Sequence, residues 1–145
     1  MKINIDLKKN IFGIHPKGMV YQFVLNSIKE KNEQSVMDFG CRNGDFLCEL
    51  DKIGSFEFLY GVDLDKSAIE LAKQKKSNAH FEHIKKNHVF DKSYNKRFDT
   101  ITVIGVIEHI YDQDSVIIEL SKQLKNEGLM IVAVQCCNHF QLHSF

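Results

Sequence analysis

Tryptophan is absent from this chain, and proline occurs once, at Pro16. The eight glycines are scattered, and no Gly-, Pro- or Ser-rich stretch interrupts the 145 residues. That leaves no room for a flexible linker, and the length suits one domain with a sizeable core rather than two. Neither charge is in excess: Lys+Arg and Asp+Glu both count 19. A broad electrostatic footprint for nucleic acid or an anionic membrane is not expected. No apolar run approaches the roughly 18 residues of a membrane-spanning helix. The first ten residues alternate apolar and polar side chains, without the apolar core of a signal peptide. The four cysteines lack the spacing of a disulfide framework, so reduced thiols in the cytoplasm are expected. No metal site is expected. The tail Cys136-Cys137-Asn138-His139 with His143 carries zinc-type ligands, but their spacing fits no familiar finger.

What is present is an alternation of strand and helix patterns. Pro16 suits the first turn of a helix, and Val20, Phe23, Val24 and Ile28 follow at helical spacing. Ser35 to Phe39 reads as the first buried strand. Phe46, Leu47, Leu50 and Ile53 form the next helical stripe, with Gly54 placed to cap it. Phe56 to Asp63 is the second strand. Asp65 can cap a helix carrying Ala68, Ile69 and Ala72. Ala79 to Ile84 is a third strand, and polar residues 85–97 form a loop. Phe98 to Ile104 is a fourth strand, rich in β-branched residues. Val116, Ile117, Leu120 and Leu124 mark a helix, and Leu129 to Val134 a fifth strand. The alternation predicts an α/β fold: a Rossmann-like parallel sheet of five strands with helices on both faces. We expect one domain over residues 1–145. It comprises an N-terminal segment and helix over 1–30, a core over 35–134 and a tail over 135–145.

The densest chemical signal is Asp38-Phe39-Gly40-Cys41-Arg42-Asn43-Gly44, a strand end breaking into a glycine turn that starts a helix. Such a turn offers backbone N–H groups and a positive dipole end to an anion. Nineteen residues after Gly44, Asp63 closes the second strand. A carboxylate at that place can take both hydroxyls of a ribose. Together they describe a site for a nucleoside with an anionic tail. A dinucleotide fingerprint needs G-x-G-x-x-G. Gly40-x-x-x-Gly44 does not supply it, which argues against a nucleotide oxidoreductase.

Asp38, Gly40 and Gly44 resemble the D-x-G-x-G-x-G motif of class I S-adenosylmethionine-dependent methyltransferases, with Arg42 at the middle Gly position. Further segments carry the resemblance from about Ile14 to Val134. Phe98-Asp99-Thr100-Ile101 is similar to the family's fourth-strand opening. Val106-Ile107-Glu108-His109-Ile110 resembles its Glu-His segment, and Leu124-Lys125-Asn126-Glu127-Gly128 its L-K-x-G-G stretch, with Glu127 at the first Gly. The resemblance implies that S-adenosylmethionine binds along Asp38, Gly40, Cys41, Arg42 and Gly44. Arg42, which departs from the motif's Gly, could pair with the methionine carboxylate. Asp63 would hold the ribose, Leu64 would lie on the adenine, and Ile104 and Gly105 would border the site. It also implies methyl transfer to a small-molecule acceptor. Glu108 and His109 could supply a general base, but a structural pair is the simpler reading, and no catalytic residue is assigned. Cys41 and Cys48 read as small packing residues.

The family's sheet ends in an antiparallel hairpin beside strand five. Only eleven residues follow Val134, too few for two strands and a turn. We therefore expect that hairpin to be missing, as in a truncated product or fragment. Strand five would be an apolar edge open to self-association or a partner strand. A non-catalytic module that keeps the cofactor half of the site is the alternative.

Overall fold

A computed structural model of the chain describes residues 16–28, 34–54, 56–86, 90, 94–136 and 139–144. The N-terminal fifteen residues, with Cys137 and Asn138 of the zinc-type tail, lie outside the described residues. The elements run α1 (Pro16–Ile28), β1 (Gln34–Phe39), α2 (Asp45–Ile53), β2 (Phe56–Asp63), α3 (Lys66–Lys73), β3 (His80–His83) and β4 (Phe98–Ile104). A short 3-10 turn (Ile107–His109), α4 (Gln113–Gln123), β5 (Leu124–Cys136) and β6 (His139–Ser144) follow.

Local sequence explains most boundaries. Pro16 opens α1, where its missing N–H costs nothing. Val20, Val24, Leu25 and Ile28 turn that helix inward. Asp65 caps α3: its Oδ1 accepts from the N–H groups of Ser67 at 2.9 Å and Ala68 at 3.2 Å. Gly54 stands at the C-cap of α2, as expected, in an extended conformation at φ −160°. One expectation fails there: Ile53 is 40% exposed, because the helix ends at that residue.

The sheet order is β3-β2-β1-β4-β5-β6. The first five strands pair parallel, as predicted. Alternate residues of each strand feed two apolar layers. Val36, Leu59, Ile104, Ile131 and Ala133 pack with α1, α2 and α3 on one face. Met37, Tyr60, Val62, Ile101, Val103, Met130 and Val132 pack with Ile84, Phe90 and Leu120 of α4 on the other. At roughly 25 cal/mol per Å2, these two layers supply most of the favourable free energy of folding. Strand order reverses at β1, which has β2 on one side and β4 on the other; ligands bind at such a switch point, beyond the strands' C-terminal ends.

The edge of the sheet requires a correction. β5 is not left as an apolar edge. β6 pairs with it antiparallel, from Ile131 opposite Ser144 to Cys136 opposite His139. The tail is too short for two strands and a turn, but one six-residue strand with a two-residue connection fits. Self-association through an uncovered β5 therefore loses its basis. β5 also starts earlier than its apolar pattern suggests. Its polar opening, Lys125 to Glu127, enters the sheet through a register shift opposite Phe98 and Thr100. No helix among the described residues is long and apolar enough to cross a membrane.

Candidate functional site

Asp38, the Gly40–Gly44 turn, Asp63, and Ile104-Gly105 come together at the C-terminal ends of β1, β2 and β4. Asp38 is 3% exposed. It faces Thr102 across the β1–β4 pair, and the Thr102 hydroxyl donates to its Oδ1 at 2.7 Å. The carboxylate thus braces the turn from beneath rather than pointing out of it. Thr102 was not singled out from the sequence. Its signal is a hydroxyl repeating at every second position (Thr100, Thr102) of an otherwise apolar strand.

The turn needs its glycines for shape. Gly40 has φ +84° and Gly44 φ +74°. A Cβ on Gly40 would stand 2.2 Å from Val106 Cγ2, and one on Gly44 would stand 2.5 Å from the Phe81 ring. Val106 and Phe81 are thus the neighbours that make these glycines necessary, and motif spacing gave no sign of them. Arg42 also adopts the left-handed region, at φ +50°. For a residue with a Cβ, that costs about 1–2 kcal/mol.

The turn does not offer most of its N–H groups as the sequence suggests. Gly40 and Cys41 both donate to the Val62 carbonyl, at 2.8 and 3.0 Å. Gly44 donates to the Cys41 carbonyl at 2.9 Å. Arg42 donates to Asp63 Oδ2 at 2.7 Å. Four of the five amides from Gly40 to Gly44 are therefore committed inside the protein. The physical reason is the parallel neighbour: β2 ends with its Val62 carbonyl under the turn.

Asp63 is fixed from both sides. Its Oδ2 takes the Arg42 N–H and its Oδ1 the Asp65 N–H at 2.8 Å. A carboxylate has about four lone-pair sites, so each oxygen can still accept a hydroxyl. The residues present therefore fit a vicinal diol. Beside it, Leu64 is 56% exposed, and its carbonyl lies 3.1 Å from His83 Nε2. Ile104 is buried, so it can border the site only through its backbone. Gly105, at φ +65°, donates to the Ala133 carbonyl at 2.8 Å and ties the end of β4 to β5.

The electrostatics disfavour a thiolate in the turn. Burial pushes the Cys41 thiol well above its ordinary range, and the negative charges of Asp38 and Asp63 push it further. Tyr21 of α1 stacks on Phe46 at 4.6 Å between ring centroids. Its phenol is also pushed up, by burial first and then by Asp38 and Asp45, while Arg42 opposes the shift. Glu108 and His109 sit in the 3-10 turn after β4, at the same end of the sheet. Glu108 is half-buried and His109 exposed. Among the described residues, no three His, Cys, Asp or Glu side chains gather as a metal site.

A family model described as "Methyltransferase domain" matches residues 30–143. The ubiquinone biosynthesis O-methyltransferase of Pelagibacter ubique is 30% identical over 114 residues, covering 76% of this chain and 45% of that protein. This chain thus spans less than half the length of that curated relative. Among solved structures, YcgJ from Bacillus subtilis aligns with a TM-score of 0.69 at 20% identity, over 80% of this chain and 50% of that one. The plantazolicin methyltransferase BpumL, solved with a desmethylPZN analog and SAH, gives a TM-score of 0.66 at 20% identity, over 83% and 45% of the two chains. At such identities the structural likeness concerns the fold.

Proposed function

The chain belongs to the methyltransferase domain family, and on that premise we propose that it binds S-adenosylmethionine and transfers its methyl group to a small-molecule acceptor. The observation that carries the proposal is Asp63, held by two backbone N–H groups at the mouth of the glycine turn with acceptor capacity to spare. S-adenosylmethionine, when bound, supplies a sulfonium methyl open to displacement. This chain's residues would do the holding. Asp63 takes the ribose hydroxyls, and Leu64 offers an apolar surface to the adenine. The backbone of Ile104 and Gly105 forms the adjoining wall. Gly40, Cys41 and Gly44 shape the bend that receives the amino-acid end, and Asp38 braces that bend. Alignment of the two reactants is the main contribution such a site makes. The name of the Pelagibacter ubique relative supports an oxygen nucleophile, and the SAH in the BpumL complex supports the cofactor. The setting we propose is the cytoplasm, consistent with the unpaired thiols of Cys41 and Cys48. Residues 35–134 would act as one cofactor-binding core.

Calorimetry with S-adenosylmethionine, S-adenosylhomocysteine and NAD tests the first half. Binding of NAD as tight as that of the S-adenosyl ligands would sink the proposal. A methyl-transfer screen over small hydroxylated acceptors tests the second. Tight cofactor binding with no turnover on any acceptor would favour the non-catalytic module instead.

A further inference from the structure

We infer that His83 is a positioning residue for the carboxylate of Asp63: its imidazole fixes the Leu64–Asp65 peptide, and that peptide aims the carboxylate. The inference rests on the functional reading above, in which Asp63 takes the ribose hydroxyls. It goes further by naming what sets the orientation of that carboxylate.

β3 brings His83 to the site. It pairs parallel with β2, and the register sets His83 opposite Asp63. Phe81 and His83 stand on the same face of β3, two residues apart. Phe81 is buried, while His83, at the end of the strand, is exposed. Its Nε2 lies 3.1 Å from the Leu64 carbonyl in the loop after β2. A carbonyl can only accept, so Nε2 carries the proton and donates. The Leu64 carbonyl and the Asp65 N–H belong to one planar peptide unit. That N–H donates to Asp63 Oδ1 at 2.8 Å. The peptide is thus held at its oxygen by His83 and at its hydrogen by Asp63, and rotating it would break both bonds. Donation to the oxygen also polarises the unit and strengthens its N–H as a donor. The flanking groups are fixed independently. The Ile84 N–H holds the Asp63 carbonyl at 3.0 Å, and the Arg42 N–H holds Asp63 Oδ2 at 2.7 Å. On the other side, the Asp65 side chain turns away to cap α3. Between those anchors, the Leu64–Asp65 peptide is the joint that His83 closes. Because the ring is exposed, removing it leaves the two apolar layers untouched.

The test compares S-adenosylhomocysteine with its 2′,3′-dideoxy analogue, which lacks the hydroxyls that Asp63 would take. Calorimetry on the wild-type chain is expected to show a roughly 10- to 100-fold preference for the diol, the scale of hydrogen bonds to a charged group. In His83→Ala, S-adenosylhomocysteine should bind about 3- to 10-fold more weakly, the scale of one hydrogen bond between uncharged groups. The analogue should stay within about twofold of its wild-type affinity. His83→Gln can present a side-chain N–H to the Leu64 carbonyl and should recover most of the loss. Both variants should melt close to wild type. Unchanged S-adenosylhomocysteine affinity in His83→Ala overturns the inference alone. So does an equal loss for both ligands, which would make His83 a general support of the loop, and so does a His83→Gln variant as weak as His83→Ala. A wild-type chain that binds both ligands alike overturns the assignment of Asp63 and the inference with it. One that binds neither overturns the functional reading as well.

Discussion

The two ends of the sheet solve opposite problems. At the N-terminal end of the parallel strands, three elements are fastened by side chains. Asp99 Oδ2 on β4 accepts from the Ser35 N–H of β1 at 2.9 Å and from Lys125 Nζ of β5 at 2.9 Å. At the C-terminal end, most of the fastening comes from main-chain amides, above the buried Thr102–Asp38 side-chain bond. Turn amides grip the Val62 carbonyl and Asp63, and Gly105 grips Ala133. Fastening through backbone leaves side chains such as Leu64 and Arg42 free to face a ligand. Fastening through side chains uses them up. The difference teaches that the functional end is recognised less by which charged residues it contains than by which of them the fold does not need.

The strongest test of this contrast is Gly40→Val. The added side chain would run into Val106 and impose positive φ on a β-branched residue. Strain and overpacking together should lower stability by about 2–5 kcal/mol in urea unfolding. Adding Val106→Ala should return the steric part only. A Gly40→Val protein as stable as wild type would show that the turn is soft. Asp63→Ala comes next, with an expected loss of about 1.5–3 kcal/mol in cofactor affinity by calorimetry. Unchanged affinity would remove Asp63 from the site.

At the other end, Asp99→Ala should cost about 1–2 kcal/mol of stability, since solvent discounts a partly exposed carboxylate, with cofactor affinity unchanged. Burial would raise the Asp99 carboxyl, but the Ser35 N–H and Lys125 outweigh it and hold it below the usual range. Its contribution is therefore complete above the unfolded carboxyl value of about 3.9. It is lost as pH falls through the lower folded value. Acid unfolding curves of wild type and Asp99→Ala should converge below that point. Parallel curves down to the lowest pH would exclude the carboxylate as the source. The smallest effect is expected for Glu127→Gly, where relief of φ +63° is partly offset by a freer unfolded chain. A net gain of about 0.5 kcal/mol in thermal unfolding is expected, without change in ligand binding; a loss would show that the unfolded chain dominates.

Much of the fold was legible because strand ends carry punctuation. Phe56–Asp63 and Phe98–Ile104 appear with the bounds read from sequence, each an apolar or aromatic run halted by an acid or a glycine. The Asp65 cap was equally plain. The departures from the family's glycines proved informative. Arg42 and Glu127 stand where the motifs have Gly, and both keep positive φ. The motif thus reports a backbone shape that survives the change of residue. Illegible features all depend on partners distant in sequence. The use of the turn amides is decided by the Val62 carbonyl, and the need for Gly40 by Val106. The β6 strand is hard to read from sequence because its alternation rests on two apolar residues, Phe140 and Leu142, and the eleven residues after Val134 are too few for a two-strand hairpin.

The pairing order carries a consequence for how the protein is assembled. β1 meets β2 across a single helix, so the turn and Asp63 belong to one contiguous unit, residues 34–63. The Thr102 hydroxyl that braces Asp38 comes from 64 positions away. Contacts of long sequence separation form late, since the chain between them must first be closed. The gripping half of the site therefore takes shape before its bracing half. During synthesis, residues 34–63 emerge as the segment proposed to clasp the ribose. That clasp waits on β4 to bury the Asp38 carboxylate with a partner and to bring Val106 against Gly40.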